Sequence, residues 1–141
     1  MKYPLTFHRN RLGSVPLALL VLVSCGQNPG PNASALPVDP CSGAWVRLFD
    51  DANLSGRQLT IAYPTDHPSL RAAALDSGAG DLNDRTTSAQ WAIPEGCKLV
   101  LYEDENYRGT DFPLVGSGRA AQNPNIGTFS DRASSARWER M

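Results

Sequence analysis

The chain has 141 residues, the length of one small domain. Hydrophobic residues make up 41% and charged residues 19%, a globular rather than a disordered composition. The formal charge is −1 with no basic cluster, which argues against nucleic acid as a partner, and twelve Gly with eleven Pro favour turns and short strands over long helices.

The N-terminus reads as a targeting segment. Lys2, Arg9 and Arg11 precede VPLALLVLVS, residues 15 to 24, an apolar run too short for a membrane-spanning helix. It ends in LVSC, residues 22 to 25, which resembles the lipobox of bacterial lipoproteins. That resemblance implies cleavage before Cys25 and a lipid on its sulfur, and Gly26 resembles the outer-membrane sorting pattern. An ordinary secreted protein cut nearby is the alternative. The expected localisation is the cell envelope, facing the extracytoplasmic side.

GQNPGPNASALPVDP, residues 26 to 40, is rich in Pro, Asn and Gly and reads as a flexible tether. Removing residues 1 to 25 takes away three of the thirteen Lys and Arg and none of the fourteen Asp and Glu, leaving 10 − 14 = −4. A mildly acidic domain on an extracytoplasmic tether suits cations better than phosphates. Cys41 and Cys97 then remain, in an oxidising compartment, and a disulfide is the expectation. Metal ligation is the alternative, weakened because His67 is the single histidine left.

The domain is expected over residues 41 to 141, as two repeats of about 44 to 91 and 97 to 138. AWVRLF and RQLTIAY alternate with a period of two and flank FDDANLSG, residues 49 to 56. KLVLY and TDFPLV do the same around YEDENYRG, residues 102 to 109. Each Gly permits positive φ in a folded hairpin, and the opening aromatic can lie across it. Each repeat closes on a polar phrase, DRTTSAQW at 84 to 91 and DRASSARW at 131 to 138. Tyr102 follows Phe49 by 53 residues and Asp131 follows Asp84 by 47, so the first repeat carries six extra residues. They fall near residues 65 to 80, where PSLRAAAL is expected to make one or two helical turns after Pro68. Four strands per repeat give an all-β, eight-stranded, two-sheet Greek-key sandwich. Ser88 and Ser135 are expected to bond back to folded backbone, and Trp45, Trp91 and Trp138 to pack within the sheets.

The spacing aromatic, four residues, aromatic, one residue, Gly, with Ser downstream, resembles the βγ-crystallin Greek-key motif. YEDENYRG matches it fully, and FDDANLSG has Leu54 for the second aromatic. NDRTTS, residues 83 to 88, resembles the hexapeptide of the microbial calcium-binding members, and SDRASS, residues 130 to 135, departs only at Ser130. The resemblance covers residues 41 to 138 and implies two Ca2+ ions, each shared between the repeats. Calcium takes six to eight oxygens, which loops can offer as carbonyl, hydroxyl and carboxylate. The resemblance names Thr87 and Ser134 as hydroxyl ligands, Arg85 and Arg132 through their carbonyls, and Asp84 and Asp131 through their carboxylates. Hairpin oxygens would come, across the pseudo-twofold, from Asp51 or its neighbour and from Asp104 or Glu105.

Nothing in the sequence points to an enzyme. His67 lies beside a Pro in the insertion, and no G-x-S-x-G, Walker or dinucleotide glycine pattern is present. The expected function is an ion-stabilised structural or stress-related envelope module. The alternative is a secreted protease inhibitor, which shares the fold and would use the insertion at 65 to 80 as its exposed loop.

Overall fold

The computed structural model describes residues 35–141. The apolar leader, Cys25 and most of the tether lie outside the described residues.

Among the described residues, seven strands form two antiparallel sheets. They are β1 Trp45–Asp51, β2 Ser55–Ala62, β3 Ser88–Ala92, β4 Cys97–Asp104, β5 Arg108–Val115, β6 Ala120–Asn123 and β7 Ser135–Arg140. One sheet has the order β2-β1-β3-β6 and the other β5-β4-β7. The inward residues are those that the alternation marks: Val46 and Leu48 on β1, Leu59 and Ile61 on β2, Leu99 and Leu101 on β4, Leu114 on β5.

The topology is an exchange between repeats. Strand β6 belongs to the second repeat yet pairs with β3 of the first. The reciprocal strand would lie beside β7, and there the eighth strand is reduced to one bridge, His67↔Ala136. Two backbone hydrogen bonds of 2.8 and 2.9 Å make it, and Leu70 N–H donates to the Ser134 carbonyl at 2.8 Å. The ladder stops because the chain slips by one residue: Leu70, not Ser69, supplies the next N–H to the Ser134 carbonyl. The Asp66 carboxylate continues the coverage by accepting from Trp138 N–H at 2.8 Å.

The helical turns expected over PSLRAAAL do not form. Backbone donors in and just after that run are used elsewhere: Leu70 by the Ser134 carbonyl just before β7, and Asp76 by the Gln58 carbonyl of β2 at 2.9 Å. An eight-residue helix is marginal on its own, so these bonds decide the outcome. The insertion instead drops Leu70 into the core, and Leu82 just after it enters too, both fully buried. The one helical element among the described residues is a 3-10 turn at Gly127–Phe129, and Phe129 stacks on Phe112 at 5.3 Å.

Both hairpins carry the same irregularity. The register shifts between Phe49 and Asp51, and again between Tyr102 and Asp104. Asn53 with Leu54, and Asn106 with Tyr107, then take positive φ of 61° and 58°, and of 61° and 62°. Leu and Tyr reach that region at a cost. The buried hydroxyls of Ser88 and Ser135 compensate, accepting from Leu54 N–H and Tyr107 N–H at 3.0 Å each. They donate in turn to the Asp51 and Asp104 carbonyls at 2.6 Å. Gly56 and Gly109 follow at φ 82° and 78°, and a side chain at Gly56 would strike the Asp50 and Asp51 carboxylates. The opening aromatic Tyr102 meets Tyr107 edge-on at 6.0 Å, across its hairpin.

Cys41 and Cys97 form a disulfide with Cα atoms 5.8 Å apart. Cys97 opens β4, while Cys41 sits in the turn before β1. The domain also begins earlier than the tether reading expects. Asp39 accepts from Tyr63 Oη and from the Arg140 guanidinium at 2.6 Å each, and from Cys41 N–H at 3.0 Å. Its carboxyl is held below the usual range, by the Tyr63 hydroxyl first and then by Cys41 N–H. Of the three Trp residues, Trp138 is buried against Tyr63, and half-buried Trp91 donates to the Val115 carbonyl. Half-buried Trp45 lies under Arg47.

Candidate metal centre

The two hexapeptides run immediately into β3 and β7 and face each other across the pseudo-twofold. Asp84 and Asp131 sit at φ 53° and 58°, a left-handed turn that Asp tolerates better than most residues. The turns bond to each other reciprocally. Asp84 N–H donates to the Ala133 carbonyl at 2.9 Å, and Asp131 N–H to the Thr86 carbonyl at 3.0 Å. Thr87 N–H and Ser134 N–H donate to the Phe49 and Tyr102 carbonyls, both at 2.8 Å.

This backbone frame pairs the side chains across the repeats. Ser134 Oγ donates to Asp84 Oδ1 at 2.9 Å, and Thr87 Oγ1 to Asp131 Oδ1 at 3.3 Å. Each fifth-position hydroxyl therefore meets the second-position carboxylate of the other hexapeptide. No donor among the described residues is bonded to the Arg85 or Arg132 carbonyls.

The hairpin oxygens also have partners within the protein. The bulges fold each hairpin onto its own repeat, so the Asp51 and Asp104 carbonyls are taken by Ser88 and Ser135. The Glu105 carboxylate accepts from Ser69 Oγ at 2.7 Å. The preceding acids are also engaged, Asp50 with Arg57 at 2.6 Å and Glu103 with Arg132 at 2.7 Å. Arg132, helped by Thr110, holds the Glu103 carboxyl below its ordinary range. The hexapeptide carboxylates cross the pseudo-twofold to the opposite hydroxyls.

The halves differ at the first hexapeptide position. Asn83 Nδ2 donates to Asp84 Oδ2 at 2.6 Å, whereas Ser130 Oγ turns away to Asn125 Oδ1 at 3.2 Å. Asn83 is only 8% exposed, and its Oδ1 has no hydrogen-bond partner. It lines an open groove of about 610 Å³ with Arg71, Asp81, Asp84, Arg85 and Asp131. Sequence reasoning missed Arg71 and Asp81 here. Both lie in or beside the insertion, and no spacing rule ties them to the hexapeptides.

Among the described residues no three Asp, Glu, His or Cys side chains converge on one point. The donors at each pair are a carboxylate, a hydroxyl and nearby carbonyls. An all-oxygen set with few charges fits a hard cation that keeps some water, and does not fit zinc or copper. The partnerless Asn83 Oδ1 beside Asp84 is a further oxygen without a protein donor.

Scans against protein-family models and against curated proteins find no match. Solved structures do match. The N-terminal domain of Protein S shares 22% identity over 69% of this chain and 97% of its own, with a TM-score of 0.51. A structure described as evolution of the eye lens βγ-crystallin domain fold gives 21% identity, 76% and 95% coverage, and a TM-score of 0.52. A βγ-crystallin from Ciona intestinalis gives 21%, 67% and 99%, and 0.50. The likeness shows the fold: this chain is an all-β domain of the βγ-crystallin Greek-key type.

Proposed function

We propose that this chain is a calcium-binding βγ-crystallin-type module, structural rather than catalytic, displayed outside a membrane by a lipid on Cys25. The observation that carries the reading is the reciprocal pairing of Asp84 with Ser134 and of Asp131 with Thr87. Asp84 and Ser134 would hold one ion and Asp131 and Thr87 the other, with the Arg85 and Arg132 carbonyls as further donors. Calcium bound there supplies a cross-link between the repeats. An unfolded chain cannot reproduce a donor set drawn from both repeats, so binding favours the native state, by about 2.7 kcal/mol per site at 100 times the dissociation constant.

A protease inhibitor on the same fold is the second reading: residues 76–80 of the insertion are exposed and held to β2 through the Gln58↔Ser77 bridge and the Arg57 bond to the Ala79 carbonyl.

Calorimetric titration tests the function. Calcium should give heat and raise the melting temperature, and magnesium should do far less, since it demands a tighter octahedral shell. Absence of both heat and thermal shift at millimolar calcium refutes the reading. Fatty-acid labelling tests the anchor separately: the protein should be labelled in cells and Cys25→Ala should not.

A further inference from the structure

The two halves of the candidate centre balance charge differently. In the second hexapeptide the Arg132 guanidinium is held by the Glu103 carboxylate at 2.7 Å. Glu103 follows Asp50 by 53 residues, the spacing that relates the two hairpins, so Asp50 is the matching acid for Arg85. Asp50 is committed elsewhere. Its two oxygens accept from the backbone N–H and from Nε of Arg57, at 2.6 Å each.

The first half has another acid in reach. Asp81 lies three residues before Asp84, outside the hexapeptide and half-buried on the wall of the groove. The equivalent position in the second repeat, 47 residues on, is the uncharged Thr128. Asp81, Asp84 and Asp131 against Arg71 and Arg85 give the groove a formal −1, and without Asp81 the sum is zero. Asp81 therefore decides whether the groove attracts a cation. It also braces the site. Its Oδ1 accepts from Asn83 N–H at 3.0 Å, and Asn83 Nδ2 donates to Asp84 Oδ2 at 2.6 Å. Ser130, in the place of Asn83, gives its N–H to the Gly127 carbonyl at 3.0 Å instead. Asn83 is only 8% exposed, lines the groove, and has no hydrogen-bond partner for its Oδ1. That oxygen is an acceptor, so a cation or the water it carries satisfies it and an anion does not.

We propose that Asp81 is an affinity-determining residue for the ion held by Asp84 and Ser134. It acts from outside the hexapeptide as a positioning residue, by supplying the net negative charge and by bracing the Asn83 that holds Asp84. The inference rests on the calcium reading above and adds to it a second reason for unequal sites.

Two-site calorimetry with calcium chloride on Asp81→Asn and Asp81→Ala tests it. Asp81→Asn keeps an acceptor for Asn83 N–H and removes only the charge. It should weaken the Asp84–Ser134 ion about fivefold, leave the other ion within about twofold, and leave the melting temperature in chelator unchanged. Asp81→Ala removes the brace as well and should weaken the same ion by about tenfold or more. Salt screens the charge effect, so parent and Asp81→Asn should converge in about 1 M sodium chloride, where a structural defect would persist. Equal affinities of parent and Asp81→Asn at low salt, a loss shared equally by both ions, or a loss that survives high salt overturns the inference and leaves the calcium reading standing. So does a lower melting temperature of Asp81→Asn in chelator, which would assign Asp81 to the fold. Asp81→Ala no weaker than Asp81→Asn overturns the brace. Absence of calcium heat in the parent protein overturns both readings.

Discussion

Asp84 and Ser134 are 50 residues apart in sequence, and their side-chain oxygens are 2.9 Å apart in the fold. Thr87 and Asp131 repeat the relationship at 3.3 Å. Neither pair forms within one repeat, so anything that grips both members of a pair grips both halves of the domain. Thr87→Ala should remove mainly the ion held with Asp131, and Ser134→Ala mainly the ion held with Asp84. Each variant should lose roughly half of the calcium-dependent rise in melting temperature. The apo fold should survive Thr87→Ala, because Thr87 is only half-buried. If each single variant abolishes both binding events equally, the assignment of one hydroxyl to each ion is wrong.

The halves should also bind unequally. Asn83 props the Asp84 carboxylate, whereas Ser130 turns to Asn125 and leaves Asp131 without that support. The Asp131–Thr87 site should therefore be the weaker. Ser130→Asn should tighten it several-fold, the equivalent of one net hydrogen bond of about 1 kcal/mol. Two-site calorimetry of the variant reads this directly, and an unchanged weaker site counts against it.

Ser88 and Ser135 carry the hairpins. Each hydroxyl is fully buried, donates to a carbonyl at 2.6 Å and accepts from the N–H of a residue at positive φ. Ser→Ala at either position leaves two backbone groups without that partner, and should cost about 2–3 kcal/mol. Urea unfolding measures the loss; a change below about 0.5 kcal/mol would show that the hairpins hold themselves.

Much of this was legible in the sequence, and the boundary is physical. The repeats, hairpins and serine latches were readable because each rests on local chemistry: an alternation, a glycine at positive φ, a hydroxyl at the first position of a strand. The exchange of β6 and the loss of the eighth strand were not, since both depend on which distant edge a short segment meets. PSLRAAAL misled for the same reason. Its composition favours a helix, but Leu70 N–H is taken by Ser134, 64 residues on. The carboxylates and hydroxyls of the candidate site were identifiable from the hexapeptides. Arg71 and Asp81 were not, because only the course of the insertion brings them to the groove.

The Cys41–Cys97 bridge spans a separation of 56 residues and ties the turn before β1 to the start of β4. Both sulfur-bearing residues are buried at the junction of the repeats. Closing a loop of that size restrains the unfolded chain and should stabilise the domain by about 2–4 kcal/mol. Thiol titration of the denatured, unreduced protein should find neither Cys41 nor Cys97 free. Reduction should lower the urea midpoint without changing the strand content seen by circular dichroism. Two free thiols in the unreduced protein refute the bridge.

Acid should expose the cluster on the outer face of β4 and β7. Glu139 accepts from Arg137 at 2.8 Å and from Tyr102 Oη at 2.7 Å, and pairs with Lys98 at 3.1 Å. These contacts, Arg137 first, hold its carboxyl down at about 2 against an ordinary 4.5. The folded value is the lower one, so the stabilisation is complete above pH 4.5 and is lost as the pH falls from 4.5 towards 2. Glu139 is partly exposed, and solvent screening limits its share to on the order of 1–2 kcal/mol. Asp39 and Glu103 are depressed as well and add to the acid loss in the same direction. Glu139→Gln should therefore be less stable than the parent at pH 7, and the two should converge as the pH approaches 2. Melting curves across that range measure the gap; a gap that stays constant from pH 7 to pH 2 would mean that the Glu139 charge contributes nothing to stability.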